Sequence, residues 1–429
     1  MKSFTMRRHR RGRVLGRPSD FLKPLPRHRK RKSDRVSRRK RSKVENSEAS
    51  RESSEESREW VFPPQDYSHY RDRFVIVSYN LLGVENASKH LDLYSQVSLQ
   101  NLEWGQRKKL ICKELSIYKP GILCLQEVDR FSDLANLLHG DGYRGIYTGR
   151  TGKACDGCAI FWREDLFTIL HKEDIEFQKF GLRDNVAQLC VLEMNSNHSS
   201  SSNDNVMSST QYKIKQNRRL LIGNIHVLFN PNRGDVKLGQ VRVFLNMAHA
   251  VSRDWGGIPV VVAGDLNSMP ESALYQFFAS SELDILRHDR RMISGQTRCP
   301  PRRVPFHSQG FVPMDYTWSE EEIYVAAGNQ RCTYLRHHLN LRSAYPGVPG
   351  RSNTRDEHGE PLVTSYHSKF MGTVDYIWHS EELVPVGVVE TLPIHFLKKT
   401  GGLPSEEWGS DHLALVCELA FAEEGSISD

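Results

Sequence analysis

The stretch Ile258-Pro-Val-Val-Val-Ala-Gly-Asp-Leu-Asn267 constrains this chain more than any other. Its run of apolar and small residues, rich in β-branched Val, reads as a strand buried on both faces. The run stops at Gly264. Asp265 and Asn267 follow at alternate positions, so both project to the same side of an extended chain. A buried strand that delivers a carboxylate and a carboxamide together at its C-terminal end is where α/β architectures build chemistry. Asp and Asn are also common turn residues, so one such ending does not separate chemistry from an Asx-type turn. The other strand ends decide between them.

Five further apolar runs finish, or begin, in the same way. Arg73 to Asn80 is a strand ending in a carboxamide, and Gly121 to Glu127 is one ending in a carboxylate. Arg218 to His226 ends in an imidazole, Thr373 to Trp378 carries Asp375, and Leu413 to Leu419 is entered through Gly409-Ser-Asp-His412. Helices alternate with them. Trp104, Leu110, Ile111, Leu115 and Tyr118 recur at helical spacing until Lys119-Pro-Gly121 stops the helix. A second amphipathic helix runs through Phe131, Leu134, Leu137 and Leu138, a third from Asp235 to Asp254, and a short one follows Pro270. Strands are predicted around 144–148, 157–162, 167–177 and 186–193, and 86–100 reads as a polar connection. No internal repeat is present. The pattern predicts one catalytic domain over 60–423. It carries a long Ser/Asn-rich loop at 195–217 and an irregular, Arg-, Pro- and Gly-rich insertion at 288–360 with one helical patch near Ser319 to Ala327.

With 429 residues, 38% of them hydrophobic, the chain can bury a substantial core. No run approaches the ~18 apolar residues of a membrane span, and nothing resembles a secretory signal. The net charge of +7 sits mainly in Met1 to Val44, where only Asp20 and Asp34 oppose the Lys and Arg. Residues 1–59 therefore read as a basic tail and a Ser/Glu-rich linker, and 424–429 as a C-terminal tail. The clusters Arg29-Lys-Arg-Lys32 and Arg38-Arg-Lys-Arg41 suit a nuclear localisation signal, and the expected location is nucleus and cytoplasm. An RNA-contacting arm and an organelle transit peptide are the alternatives. Of the eight Cys, Cys155-Asp-Gly-Cys158 is formally C-x-x-C with no second pair at zinc-binding distance. It reads as two buried thiols in a reducing compartment.

Asn80, Glu127, His226, Asp265, Asn267, Asp375, Asp411 and His412 thus cluster at the edges of six apolar runs. Each alone has a mundane reading as a cap, a turn or an ion pair. Together they are hard to dismiss, because buried carboxylates are costly unless paired or metal-bound. The set is mostly oxygen, with no Cys and few His, which suits a hard divalent cation such as magnesium better than zinc. Two His beside an acidic cluster suit a phosphodiester, one hydrogen-bonding a non-bridging oxygen and one serving as base or charge stabiliser.

Ser78-Tyr-Asn80, Leu125-Gln-Glu127, Asn224-Ile-His226, Gly264-Asp-Leu-Asn267, Val374-Asp-Tyr376 and Ser410-Asp-His412, in this order, resemble the motif set of the endonuclease/exonuclease/phosphatase superfamily. The resemblance covers about 73–420. It implies a four-layered α/β sandwich, two packed mixed β-sheets flanked by helices as in pancreatic deoxyribonuclease, with magnesium. Leu102-Glu-Trp104 with Arg107, Cys155 to Phe161, Arg183-Asp-Asn185 and Phe370 to Asp375 are similar to the carbon catabolite repressor-type poly(A) deadenylases, in particular to plant-type homologues without leucine-rich repeats. That resemblance implies Glu127 as metal ligand, helped by Asn80 and Asp411, and Asp265 activating the attacking water. It further implies Asn267 positioning the phosphate or leaving end, His226 on the scissile phosphate, and His412 oriented by Asp375. Pro231 and Phe370 match positions that sandwich an adenine. Yeast and animal members carry leucine-rich repeats that dock the Not complex. Here that place is taken by the basic tail, which leaves membership of the complex open.

The first functional expectation is a magnesium-dependent 3′-to-5′ exoribonuclease that shortens poly(A) and releases AMP, with RNA as its partner and no membrane. The alternative keeps the fold and changes the enzyme to an Angel-like phosphatase of RNA 2′,3′-cyclic phosphate ends. A non-catalytic RNA scaffold fits less well, since it has no need of Asp265 and His412 together.

Overall fold

The computed structural model describes residues 58–195, 218–296 and 318–422. The expectations for residues 1–57, for the loop between 196 and 217 and for 297–317 lie outside them, as does the C-terminal tail. Trp60 is not where packing starts. The Arg58 guanidinium is already buried, donating to Glu114 Oε1 at 2.6 Å and to the carbonyl of Glu390 at 2.9 Å.

The apolar runs become strands of two sheets. One has seven strands in the spatial order Trp60–Val61, Leu383–Val389, Leu415–Phe421, Arg73–Asn80, Ile122–Gln126, Gly157–Arg163, Tyr143–Gly149. The other has six, in the order Leu341–Ser343, Asp375–Ser380, Val260–Asp265, Arg219–His226, Val186–Met194, Phe167–Glu176. Each sheet is mixed, with one parallel pair at its centre: Arg73–Asn80 beside Ile122–Gln126, and Arg219–His226 beside Val260–Asp265.

Alternation along these strands explains the layers. Ile76, Cys124 and Ile160 of the first sheet pack against Ile222, Val261, Ala263 and Ile377 of the second in a core between the sheets. Their neighbours Val77, Leu123 and Leu125 face outward onto helices Trp104–Tyr118 and Phe131–Gly140. Leu221, Val260 and Val262 face the opposite way, onto helices Gly234–Asp254, Ala273–Ser280 and Glu320–Ala327. Strands buried on both faces need apolar residues at every position, which is why these runs are continuous. The result is the expected four-layered α/β sandwich.

Two glycines are set by close approach. A Cβ on Gly264 would lie 2.0 Å from the carbonyl oxygen of Ile225 on the neighbouring strand. One on Gly409 would meet the Arg107 carbonyl and the Ile111 side chain at 2.7 Å. Each precedes a motif carboxylate, Asp265 and Asp411 respectively.

Several expectations need correction. Residues 86–100 are not a plain polar connection but contain helical turns at Val84–Lys89, Leu91–Leu93 and Leu99–Leu102. The 288–360 segment is not an irregular insertion throughout. It supplies the edge strand Leu341–Ser343 and the strand Tyr334–Arg336 paired with Glu282–Asp284, while the expected helical patch forms as helix Glu320–Ala327, whose Ser319/Glu322 capping box fixes its start. Strands of three residues have too few positions for periodicity to show. Leu383–Val389, inside the seven-stranded sheet, was not anticipated because Pro385 and Gly387 interrupt its run; the structure absorbs them in a register shift between these two residues. Of the C-x-x-C pair only Cys158 is buried, whereas Cys155 is exposed. Burial begins at Asp156, and a Cβ on Gly157 would lie 2.1 Å from the Thr148 carbonyl oxygen. No helix among the described residues is long and apolar enough to cross a membrane.

Candidate active site

The two central parallel pairs end at the same edge of the sandwich, and register does the rest. His226, Asp265 and Asp375 are direct cross-strand partners in the six-stranded sheet, forming one row across three adjacent strands. Asn80 partners Gln126 in the other sheet, one residue before Glu127. Two carboxamides clamp the sheets together beneath this edge. Gln126 Nε2 donates to Asn224 Oδ1 at 2.8 Å, and Asn224 Nδ2 donates to the carbonyls of Leu125 and Ala159. These buried donations across the interface fix the register of one sheet on the other, although Gln126 Oε1 is itself left without a donor.

The polar ends converge on Asp265. Its Oδ2 accepts from Asn80 Nδ2 at 3.1 Å and lies 3.5 Å from His226 Nε2 and 3.9 Å from His412 Nε2. Its Oδ1 accepts from the Asn267 amide at 2.8 Å. His412 Nδ1 is 2.8 Å from Asp375 Oδ2, which also accepts from Thr364 Oγ1 at 2.6 Å, while Asp375 Oδ1 is buried with no partner. Asn267 has a left-handed backbone (φ 44°) and donates from Nδ2 to the Val227 carbonyl at 3.0 Å. Beneath it the fully buried Lys237 donates from Nζ to the Asn267 carbonyl at 2.6 Å. Non-glycine residues in this backbone region gather at functional sites, and Glu127 is a second instance with φ 53°.

Glu127 is held from three sides. Oε1 accepts from Asn80 Nδ2 at 3.1 Å, and Oε2 accepts from the Gly83 amide at 3.0 Å and from Asn86 Nδ2 at 2.8 Å. Asp411 Oδ2 accepts from Tyr94 Oη at 2.8 Å. The buried Arg107 explains its motif with Trp104: it donates to the carbonyls of Leu81, Leu82 and Gly409 and so ties the loop after Asn80 to the loop carrying Asp411. Its guanidinium lies 5.4 Å from the Trp104 ring centre.

Burial dominates the electrostatics. It pushes the Asp265 carboxyl up to about 7, with the neighbouring charge of Asp375 adding to the rise. It pulls His226 down to about 4, with Arg150 acting in the same sense. Burial opposes charge on His412 as well, but Asp375, Asp411 and Asp265 together hold that imidazole well above its usual range. Lys237 is drawn down to about 7 by burial. The edge therefore carries one imidazole that favours the neutral form and one that favours the charged form.

All of this opens into a cavity of about 560 Å³. Glu127, Asp265, Asp411, His226, Asn267 and His412 line it, and Pro231 and Phe370 stand in its walls. Asn80 and Asp375 do not line it. They act from behind, Asn80 on Glu127 and Asp265, and Asp375 on His412. Sequence reasoning missed Asn86, Tyr94, Arg150, Asn185, Gln296 and His367, which also line the cavity, and Lys237 beneath it. For Asn185 a signal existed in Arg183-Asp-Asn185: its Nδ2 donates to the His226 carbonyl at 3.0 Å. For Tyr94 and Gln296 none did.

The donor set fits a hard divalent cation. Of the carboxylates lining the cavity, Asp92 pairs with Lys369, while Glu127, Asp265 and Asp411 are buried or half-buried, and Glu127 and Asp411 each keep lone pairs beyond the hydrogen bonds they accept. Asn80, as oriented, turns its nitrogen to Glu127 and Asp265 and its oxygen to the Leu82 amide at 3.0 Å, so it braces these two carboxylates. Asp265, Asp375 and His412 also bring ligand atoms within 4.8 Å of one another. However, His412 Nδ1 and Asp375 Oδ2 are engaged with each other, which favours a tautomer-fixing pair over a metal site there.

Residues 77–412 match the Endonuclease/Exonuclease/phosphatase family. Carbon catabolite repressor protein 4 homolog 5 of Arabidopsis thaliana is 56% identical over 380 residues, 87% of this chain and 82% of its own. Homolog 3 of the same plant is 48% identical over 379 residues, 87% and 81% of the two chains. Among solved structures, ANGEL2, a 2′,3′-cyclic phosphatase in complex with adenosine-2′,3′-vanadate, superposes with a TM-score of 0.66 at 28% identity, over 85% of this chain and 99% of that one. The family match spans the whole six-stranded sheet and every motif carboxylate. The chain belongs to the endonuclease/exonuclease/phosphatase family of hydrolases, within its carbon catabolite repressor 4-type group.

Proposed function

We propose that this protein is a magnesium-dependent 3′-to-5′ exoribonuclease that shortens mRNA poly(A) tails and releases AMP. The observation that carries the reading is the convergence of Asn80, His226 and His412 on one oxygen of Asp265, at the floor of a cavity walled by Pro231 and Phe370. A phosphodiester fits the polar floor and a base fits the apolar wall. The similarity to carbon catabolite repressor protein 4 homologs supports it.

Glu127 and Asp411 would hold magnesium, which when bound would supply Lewis-acid stabilisation of charge on the phosphate. Asp265 takes the proton of the attacking water, its orientation fixed by Asn80 and by the Asn267 amide. His226, kept neutral by burial, hydrogen-bonds a non-bridging oxygen. His412, held by Asp375, stabilises the negative charge that develops on the phosphate. Asn267, whose nitrogen is committed to Val227, accepts through its oxygen from a ribose hydroxyl and so positions the leaving end, and the departing 3′ oxygen takes its proton from the charged His412 imidazole. Pro231 and Phe370 sandwich the 3′-terminal base.

Digestion of 5′-labelled RNA ending in A tests the reading: a magnesium-dependent ladder with AMP as product supports it, and unchanged chain length rejects it. The overlay on ANGEL2 favours a second reading, a phosphatase of RNA 2′,3′-cyclic phosphate ends. That activity opens the terminal phosphate and leaves the length intact. The nuclear and cytoplasmic location, with the basic tail as import signal, belongs to the same proposal. Imaging a tagged chain lacking 1–57 tests it, an unchanged nuclear signal being the adverse result. Docking to the Not complex is tested by co-purification with the full chain.

A further inference from the structure

Four carboxamides line the cavity, and three of them are committed. Asn86 donates to Glu127, Asn185 to the His226 carbonyl and Asn267 to the Val227 carbonyl. Gln296 is the exception among the described residues. Its Oε1 is buried without a hydrogen-bond donor. A buried acceptor left unmade carries the full desolvation penalty of the group, and such an amide is free to turn about its terminal torsion and present either atom.

The backbone that carries it is anything but free. The Met269 amide donates to the Ser294 carbonyl at 2.8 Å, the Leu274 amide to the Ile293 carbonyl at 3.1 Å, and the Gly295 amide to the Met292 carbonyl at 2.9 Å. Arg290 Nη1 donates to the Asn232 carbonyl, and Gly234 packs directly on the Arg290 carbonyl and the Ile293 side chain. The segment 290–296 is thereby fastened to the loop that bears Pro231. An uncommitted amide on a pinned backbone, in the wall of the same cavity as the proposed base sandwich, has the chemistry of a base reader.

We propose that Gln296 is the specificity-determining residue for the 3′-terminal base, pairing its carboxamide with the N6/N7 edge of an adenine held between Pro231 and Phe370. This rests on the proposed function for the placement of the base. Adenine offers a donor (the N6 amine) beside an acceptor (N7), which one Gln amide satisfies with two hydrogen bonds. Guanine and hypoxanthine offer two acceptors there, so that one amide atom is always left facing the wrong partner. Pyrimidines lack the edge altogether.

The test compares AMP with IMP, which differ at this edge only by exchange of the amine for a carbonyl. Calorimetric titration of the full chain is expected to show AMP binding about 5- to 150-fold tighter than IMP, the range of one bidentate amide–base pair. Gln296→Met keeps the volume and removes both hydrogen bonds. It should bring AMP down to the IMP affinity, leave IMP unchanged and leave the melting temperature unchanged. Equal affinities in the wild type overturn the inference, as does an AMP/IMP ratio preserved in Gln296→Met, or a loss of both nucleotides together with a lowered melting temperature. A protein that passes this binding test yet shortens no RNA would retain Gln296 as an adenine reader and reject the exoribonuclease reading. One that shortens RNA with no AMP preference would do the reverse.

Discussion

His412 Nδ1 lies 2.8 Å from Asp375 Oδ2, and the other oxygen of that carboxylate is buried without a donor. One carboxylate oxygen thus fixes the imidazole tautomer, aiming Nε2 at Asp265. Replacing Asp375 by Asn preserves shape and removes the charge that holds the ring. We expect kcat to fall on the order of 10³- to 10⁴-fold, by analogy with other carboxylate–histidine pairs, with KM nearly unchanged. A melting curve run alongside decides the matter: a large drop in melting temperature with residual activity intact in the folded fraction would make Asp375 a structural residue.

Asn86 and Glu127 make a second testable pair. Asn86 Nδ2 reaches Glu127 Oε2 at 2.8 Å from a short helix on the opposite side of the carboxylate from Asn80. If Glu127 holds the metal, Glu127→Ala should abolish turnover by several orders of magnitude. Asn86→Ala removes only a brace. It should raise the magnesium concentration needed for half-maximal rate by about 10- to 100-fold, while the rate at saturating magnesium recovers most of the way. An Asn86→Ala enzyme with an unchanged magnesium titration would place the metal elsewhere.

Phe370 belongs to a two-stranded ribbon, Ser365–His367 with Phe370–Gly372, that leads into the strand carrying Asp375. In the proposed mechanism the chemistry at Asp265 is blind to the base, so the proposed adenine preference has to arise in the walls. Stacking on an aromatic ring contributes about 1–3 kcal/mol per base. Phe370→Ala should therefore cost about 5- to 150-fold in kcat/KM on oligo(A), and much less on a small chromogenic phosphodiester that lacks a base. Equal losses on both substrates would make the ring a packing element.

Much of this was legible in the chain because a strand buried on both faces leaves a continuous apolar run, and a polar residue at its end stands out. Asn80, Glu127, His226, Asp265 and Asp375 were visible for that reason, and cross-strand register then brought three of them into one row. Lys237 was not visible. A Lys near the start of an amphipathic helix reads as solvated, and only the fold shows it fully buried beneath Asn267. Asn86 sits in a short helix and Tyr94 just past a helical turn, in sequence that is polar and aperiodic, so nothing local separates them from linker. The edge strand Leu341–Ser343 was hidden by its length, and Leu383–Val389 by Pro385 and Gly387.

The fold also contains a carboxyl that should make stability depend on pH away from the catalytic edge. Glu360 is 1% exposed, and burial raises its carboxyl from 4.5 to about 7, with Asp356 adding to the rise and Tyr275 and Arg355 opposing it. Tyr275 Oη donates to its Oε1 at 2.8 Å. The folded state therefore binds a proton more tightly than the unfolded chain. Its contribution to stability is fully present below the unfolded value near 4.5 and is lost as pH rises through about 7. The shift corresponds to on the order of 3 kcal/mol. Glu360→Gln keeps the acceptor for Tyr275 and removes the titration. Denaturant unfolding of both proteins between pH 5 and pH 8 should show the wild type losing stability relative to Glu360→Gln across that window, the gap levelling off once pH exceeds the folded value. Parallel curves for the two proteins would mean that Glu360 is ionised in the fold throughout, its charge compensated by Arg355.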